Sequence, residues 1–262
     1  MLAVEDTGEG TPVVLLHGLT ATRRYVVMGS RALERSGHRV IAYDARGHGE
    51  SDPAAEPDAY DYATLARDLG ELLDDRGIDR AVLAGASMGA HTALRFALDH
   101  PDRVAGLVVI TPAYDPVTQD DPERLERWDA LSDGLRDGGV DGFVAAYGEA
   151  EHVPERWRET IQKVVRQRLS AHRHPEAVAD ALRVVPRSRP FGTLEDLRAI
   201  EAPTVVVADR DDADAGHPLE VGERYARAIP GAELVVEEPG QSPLAWQGGQ
   251  LSRLIAEVAA QA

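Results

Sequence analysis

The chain has 262 residues, of which 43% are hydrophobic, and this is enough for one large domain with a substantial core. Its formal charge of −17 repels phosphate backbones and anionic headgroups, which argues against a nucleic-acid or membrane partner. The chain contains no cysteine, which excludes disulfides and thiol chemistry, and the lack of a leader or of an apolar run of ~20 residues predicts a cytoplasmic protein.

Short apolar runs recur along the chain, at residues 12–18, 38–44, 80–87, 104–112, 203–209 and 232–238. Their apolarity is continuous and not alternating, which is typical of strands buried on both faces of a sheet. Between the second and third runs, residues 60–76 carry leucines on one helical stripe, and Gly77 follows as a stop. Strands that alternate with helices predict a doubly wound, mostly parallel α/β sheet.

The alternation of strands and helices stops between residues 115 and 190. This segment has no strand-like run, but it has tryptophans, clustered charges and helical spacing in "PERWRETIQKVVRQRLSAH". We therefore expect a helical cap at 115–190, inserted into a core formed by residues 1–114 and 191–262.

The stretch "GASMG" at residues 85–89 lies where an apolar strand ends and a helical pattern begins. Small residues on both sides of Ser87 let the chain turn sharply and expose the serine hydroxyl. The same five residues could form an ordinary tight turn, so the chemistry depends on whether another group can take the serine proton.

Two further motifs follow other predicted strands, "LLHGL" at 15–19 and "YDARGHGESD" at 43–52. Together with "GASMG", the cap and the late strands, they closely resemble the α/β-hydrolase superfamily over essentially the whole chain. The resemblance implies the α/β-hydrolase fold and makes Ser87 the nucleophile. It implies no cofactor and no metal.

The resemblance also assigns an oxyanion hole, formed by the backbone amides of Leu19 and Met88. Two such donors, one of them at a helix N-terminus, can stabilise the negative charge that develops on a carbonyl oxygen. By the same resemblance the loop that carries Asp44, Arg46, His48 and Ser51 is chiefly structural. His17 is expected to order the oxyanion loop.

The catalytic acid should follow the strand "PTVVVAD". The family spacing points to Asp212, with Asp211 as the alternative, and such a carboxylate would orient an imidazole. The histidine itself should lie after the last strand, where this chain reads "EEPGQSPLAWQ" and places Gln241. An amide does not titrate near neutral pH and cannot act as a general base, so we expect Ser87 to be placed but not activated.

All nine histidines lie at or before His217, so no shift of the alignment supplies the expected base. His217 near the next helix, or His152, His172 or His174 in the cap, remain alternatives if one of them reaches the serine. His91, four residues after Ser87, is expected to be a packed helix residue.

Two functions follow from these residues. One is a hydrolase of small esters, lactones or similar acyl compounds with a degenerate or atypical triad. The other is a catalytically silent protein that binds or senses a small molecule on the same fold. A lyase or proton-transfer reaction ranks below both, because it would also need a titrating group near the serine. The oligomeric state and the substrate are not defined by the sequence.

Overall fold

A computed structural model describes residues 1–150, 155–210, 214, 216–238 and 246–262, with 149 and 150 described for the backbone alone. One sheet contains seven strands: β1 (Val4–Thr7), β2 (Thr11–Leu16), β3 (His38–Tyr43), β4 (Ala81–Ala86), β5 (Val104–Ile110), β6 (Thr204–Ala208) and β7 (Glu233–Val236). Their order is β1-β3-β2-β4-β5-β6-β7, and every neighbouring pair is parallel except β1 with β3. This is the predicted doubly wound, mostly parallel sheet.

Eight α-helices are described: α1 (Ala32–Arg35), α2 (Tyr62–Asp75), α3 (Met88–Asp99), α4 (Pro122–Ala150), α5 (Glu155–Leu169), α6 (Pro175–Val184), α7 (Leu219–Ala228) and α8 (Gly248–Ala259). The predicted helix at 60–76 is α2. It begins after Asp61, whose side chain accepts a hydrogen bond from the Thr64 N–H, and it ends before Gly77 at φ +62°. Within the described part of the chain, no helix is both long and apolar enough to cross a membrane.

The sheet is covered by hydrophobic side chains on both faces, as its unbroken apolar runs predict. Val14 and Leu16 of β2 point into one core with α2, α3 and α7, whereas Val13 and Leu15 point into a second core with α1 and α8. Because successive side chains of a strand alternate between faces, every residue of a central strand must be apolar.

Helices α4, α5 and α6 lie between β5 and β6 in the chain and form a third hydrophobic cluster. This cluster joins helical residues such as Leu135 and Val178 to Leu19 and Met88 at the carboxyl edge of the sheet. Helix α4 is broken at Gly139, which has a non-helical backbone with φ +59°. The division of the chain into a core and a separate cap domain stays a prediction.

Strand β1 is the element that the sequence analysis missed. Its sequence, VEDT, contains a single apolar residue, and it lies antiparallel at the edge of the sheet. An edge strand of this kind is held by its backbone bonds to one neighbour and needs no continuous apolar run.

The first turn of α3 packs directly on the ends of β2 and β4. A Cβ atom added to Gly89 would lie 2.1 Å from the carbonyl oxygen of Leu16, and one added to Gly85 would lie 2.3 Å from the Gly89 backbone. Only glycine permits an approach this close. These two contacts fix where the helix begins relative to the strands.

We expect Gly89→Ala to lower the free energy of unfolding by roughly 2–4 kcal/mol, because backbone atoms of β2 would have to move away from the new methyl group. Equilibrium denaturation in urea measures this change. Gly249 is a matched control, since it is also the second residue of a helix but has no atom within 4 Å of an added Cβ. Gly249→Ala should leave stability unchanged or raise it by up to about 1 kcal/mol; equal losses in the two variants would contradict the argument.

Candidate active site

Ser87 occupies the turn between β4 and α3 in a strained backbone conformation. Its φ of 50° and ψ of −113° are unusual for a residue with a side chain. The Ser87 N–H donates to the Ile110 carbonyl at 3.0 Å, and its own carbonyl accepts from the His91 N–H at 3.1 Å. These bonds hold the turn, so that the Ser87 side chain faces the cavity above the sheet edge.

The Ser87 hydroxyl contacts an imidazole. The His217 Nε2 atom lies 2.9 Å from the Ser87 Oγ, and the His217 Nδ1 atom lies 2.8 Å from both carboxylate oxygens of Asp214. The expectation that Ser87 lacks a base is therefore wrong. The reason is topological: His217 lies just ahead of α7, at the carboxyl edge where β6 and β4 end, and this position brings it to the serine.

The charges of Asp214 and His217 stabilise each other. Burial by itself would favour neutral forms, but the Asp214 carboxylate outweighs this effect and raises the pKa of His217 above its usual 6.5. In the same way, His217 holds the pKa of Asp214 below its usual value of 3.8 despite burial. A carboxylate that keeps its charge beside Nδ1 orients the ring and makes Nε2 a stronger proton acceptor.

Several other residues were considered for the base or the acid. Four of them lie outside the described residues, so their assignments stay predictions: Asp211, Asp212, Gln241 and His152. His174 lies at the start of α6, where its Nδ1 is 3.3 Å from Glu176.

His91 is a buried structural residue, as predicted. Its Nε2 atom accepts hydrogen bonds from the backbone N–H groups of Ala113 and Tyr114, and its Nδ1 lies 3.1 Å from the hydroxyl of Tyr62. Burial lowers the pKa of His91 to about 3, which keeps the ring neutral.

Leu19 and Met88, the predicted oxyanion residues, follow β2 and β4 at the carboxyl edge of the sheet. Both are buried and belong to one hydrophobic cluster, and the neighbouring Gly18 packs on Ser87. Within the described part of the chain, neither the Leu19 N–H nor the Met88 N–H donates to a protein acceptor. An oxyanion hole requires two such amides beside the hydroxyl, and the assignment of Leu19 and Met88 to this role stays a prediction.

Three buried histidines contact the carbonyl groups of residues 18–20, in the loop that follows β2. His17 Nδ1 lies 2.8 Å from the Gly18 carbonyl, His48 Nε2 lies 2.6 Å from the Leu19 carbonyl, and His172 Nε2 lies 3.1 Å from the Thr20 carbonyl. The rings pack against one another with centroids 5.2 and 5.6 Å apart. Because a peptide carbonyl and the following N–H are fixed in one plane, these contacts also orient the loop amides.

His172 comes from the turn between α5 and α6 and connects this turn to the core. Its Nδ1 accepts a hydrogen bond from the Gly49 N–H at 2.8 Å, and the adjacent Arg173 N–H donates to the Gly49 carbonyl, also at 2.8 Å. The His172 Nδ1 atom can accept the hydrogen bond from the Gly49 N–H only if this nitrogen carries no proton. Burial lowers the pKa of His172 to about 4 and so maintains this state.

The loop 44–51 supports the site without reaching Ser87. The buried Asp44 carboxylate accepts from the Arg23 N–H at 2.7 Å and from the Glu50 N–H at 3.0 Å. Arg46 donates to Asp68 of α2 at 2.6 Å. The polar residues of this motif therefore satisfy backbone groups and each other, which agrees with the structural role expected for them.

A cavity of about 600 Å³ opens above Ser87 and His217. Its apolar wall comes from α4 and α5 and includes Trp128, Leu131 and Phe143. This size and lining suit a small organic molecule. Among the described residues, no group of three or more histidine, aspartate or glutamate side chains is placed to hold a metal ion.

The sequence analysis named His217 only as an alternative base, and it placed the acid at Asp212 or Asp211 and not at Asp214. The available signal was local: an aspartate and a histidine three residues apart, between a predicted strand and a proline. The expectation that the histidine follows the last strand outweighed this signal.

The fold and the site define a protein of the α/β-hydrolase class. The model of the alpha/beta hydrolase fold family matches residues 11–248, and the chain belongs to this family.

Its relatives catalyse diverse reactions. A protein of Variovorax paradoxus (strain S110), provisionally named carbamate hydrolase RutD, is 35% identical over 80% of this chain and 77% of its own length. A 2-hydroxy-6-oxononadienedioate/2-hydroxy-6-oxononatrienedioate hydrolase of Pseudomonas putida is 32% identical over 90% of this chain and 82% of its own. The structure of a thermophilic esterase from Thermogutta terrifontis is 32% identical, with a TM-score of 0.75 over 99% of this chain and 90% of the esterase.

The neutral state of His172 predicts how stability depends on pH. Because its pKa is about 4 in the folded protein and 6.5 when unfolded, the unfolded chain binds more protons between these values, and stability falls as the pH falls. This residue alone should lower the free energy of unfolding by about 2 kcal/mol between pH 7.5 and pH 5. In His172→Gln this contribution is absent, so the variant should be less stable than the parent at pH 7.5 but not at pH 5.

Urea denaturation at the two pH values measures the difference. Arg173→Gln is the control, because it changes the neighbouring exposed residue to one that also does not titrate in this range. It should keep the pH dependence of the parent. A stability gap between His172→Gln and the parent that is the same at both pH values would show that the imidazole does not titrate in this way.

Proposed function

We propose that this protein is a serine hydrolase of small esters, lactones or similar acyl compounds, with Ser87 as nucleophile, His217 as general base and Asp214 as the acid. The observation that carries the proposal is the 2.9 Å contact between His217 Nε2 and Ser87 Oγ. A base within hydrogen-bond distance of the serine supports an active enzyme. The silent binding protein was inferred from a missing base, and that reason no longer applies.

In the first half of the reaction, the Ser87 Oγ attacks the carbonyl carbon of the substrate while His217 Nε2 takes the hydroxyl proton. The negative charge moves to the carbonyl oxygen, where the N–H groups of Leu19 and Met88 donate to it. The intermediate then collapses, the bond to the leaving alcohol oxygen breaks, and His217 returns its proton to that oxygen. The products of this half are the free alcohol and an ester on Ser87.

In the second half, a water molecule attacks the ester carbonyl and gives a proton to His217. The oxyanion forms again on the same two amides, and its collapse releases the carboxylic acid and returns the proton to Ser87. Asp214 stays ionised throughout and stabilises the imidazolium in both halves. The overall reaction consumes one water and needs no cofactor.

The comparisons support the hydrolysis of acyl compounds as the class of reaction. One similar structure is that of an esterase, and two relatives bear the names of hydrolases that act on other bonds. The apolar wall and the volume of the cavity favour a substrate with a short hydrocarbon chain.

Ser87 should react with a fluorophosphonate probe, and the modified peptide should be found by mass spectrometry. We expect His217→Gln to lower both the labelling rate and the turnover of p-nitrophenyl butyrate by about 10³-fold or more, since an amide cannot accept the serine proton. Ser87→Ala gives the background for both measurements. Turnover by the unmodified protein at the Ser87→Ala level would refute the proposal.

A second variant tests where the base resides. Gln241 occupies the position at which the family resemblance expects the histidine, so Gln241→His offers a competing imidazole. If His217 is the base, this change should leave p-nitrophenyl butyrate turnover within a few-fold of the parent. A gain of about 100-fold or more, together with no loss in His217→Gln, would show that the base belongs at position 241.

The pKa of His217 predicts the pH profile. Turnover requires a neutral imidazole, so kcat/KM should rise with pH and reach half its maximum above pH 6.5, because Asp214 raises this pKa. Asp214→Asn should move the midpoint to lower pH and reduce kcat by roughly 10³- to 10⁴-fold.

Asp209 is the matched control for this profile. Its charge also raises the pKa of His217, but by less than that of Asp214. Asp209→Asn should therefore produce a smaller shift in the same direction. If Asp214→Asn leaves the midpoint in place, the carboxylate does not act on the base.

A further inference from the structure

The cavity above Ser87 is lined by four arginines, although the chain as a whole carries a formal charge of −17. They are Arg124, Arg127, Arg168 and Arg224. A guanidinium in a partly apolar cavity is stable only with hydrogen-bond partners or an anion. Arg224 has an anion, because its Nη2 donates to Asp115 at 2.6 Å.

Arg168 has no such anion. It is the second-to-last residue of α5 and is half-buried, and its Nε is buried without a hydrogen-bond partner. Within the described ranges, no ion pair or hydrogen bond involves its guanidinium. Arg166, two residues earlier on the same helix, pairs instead with Asp141 outside the cavity. Among the described residues, Arg168 is therefore a cavity-lining guanidinium that no carboxylate binds directly.

The charge of Arg168 acts directly on the catalytic groups. Arg168 lines the same cavity as Asp214 and His217, and its positive charge lowers the pKa of both. Asp214 is already bonded to His217 through both of its oxygens. Of the remaining acidic residues that line the cavity, Asp209 also acts on His217, and Glu220 is exposed on α7.

A second cation faces the cavity from α4. Arg124 Nη1 donates to the carbonyls of Gln119 and Pro186 at 3.2 and 3.0 Å, and both of these acceptors are neutral. Among the described residues no carboxylate forms an ion pair with Arg124. Burial and the neighbouring charge of Arg127 lower the pKa of Arg124, although the charge of Asp121 acts in the opposite direction.

We propose that the substrate carries a carboxylate and that Arg168 binds it while the acyl carbon lies at Ser87. The inference rests on the proposed function and narrows the substrate class to anionic acyl compounds. A planar guanidinium can bind a carboxylate through two parallel hydrogen bonds. Of the four arginines that line the cavity, Arg168 is the one whose charge acts on His217. The hydrocarbon part of the substrate then lies against the apolar wall formed by α4 and α5.

Matched pairs of esters test the specificity. One pair places the charge in the acyl group, with p-nitrophenyl hemiadipate against p-nitrophenyl hexanoate, and the other places it in the alcohol, with 4-carboxyphenyl against 4-carbamoylphenyl hexanoate. In at least one pair the anionic ester should have a kcat/KM about 10- to 100-fold higher than the neutral one. The pair that shows this preference identifies the side of the ester that carries the carboxylate.

Variants of Arg168 test the residue. Arg168→Met should reduce the anionic preference to about 1, and Arg168→Lys should retain part of it, because the charge remains but the two-bond geometry is lost. Arg166→Met on the same helix is the control and should leave the preference unchanged. The inference is overturned if the parent does not prefer the anionic ester, or if this preference survives in Arg168→Met. In either case, hydrolysis of the neutral esters that depends on Ser87 would still support the proposed function.

Binding gives a readout that does not depend on turnover. We expect hexanoate, titrated into the Ser87→Ala variant by calorimetry, to bind at least 10-fold more tightly than hexanamide, and this difference should disappear when Arg168→Met is added. If no ester is turned over, the proposed function fails, but this titration still tests the carboxylate site. Equal binding of the acid and the amide would exclude the site.

Discussion

The site depends on the close approach between the first turn of α3 and the strands β2 and β4. Glycine backbone at positions 85 and 89 lets the helix start against the Leu16 carbonyl, and the chain must then pass through Ser87 in a conformation that a side chain seldom adopts. At the start of this helix, the Met88 N–H donates to no acceptor among the described residues. The position of Ser87, its strained backbone and the start of α3 therefore have a single structural cause.

Most of the sheet could be predicted from the sequence because a central parallel strand must be apolar on both faces. The side chains of Val13 to Leu16 pack into two cores on opposite faces of the sheet, so β2 appears in the sequence as an unbroken apolar run. Strand β1 could not be found by the same rule, since it lies at the edge and its residues are only half-buried or exposed. The sequence predicted that the inserted segment is helical, but it did not predict where its helices break. The break of α4 at Gly139 depends on packing between the two halves of this helix, where Gly134 approaches Gly142.

The turn at Ser87 could be predicted because its surroundings are local: a strand, small residues and a helix, all within a few positions. The imidazole that contacts Ser87 could not, because several loops end at the same edge of the sheet and a sequence gives no distances between loops. His217 meets the serine across 130 positions of chain, in the loop before α7. The family order of motifs predicted the histidine in a different loop, so the resemblance did not identify the imidazole that contacts Ser87.

The bonds of His172 and Arg173 to Gly49 attach the turn between α5 and α6 to the core of the protein. His172 also contacts the Thr20 carbonyl, so one side chain joins this turn to two loops at the carboxyl edge of the sheet. A displacement of the turn would therefore disturb the backbone of both loops, and this end of the helical layer is mechanically coupled to the loop that follows β2.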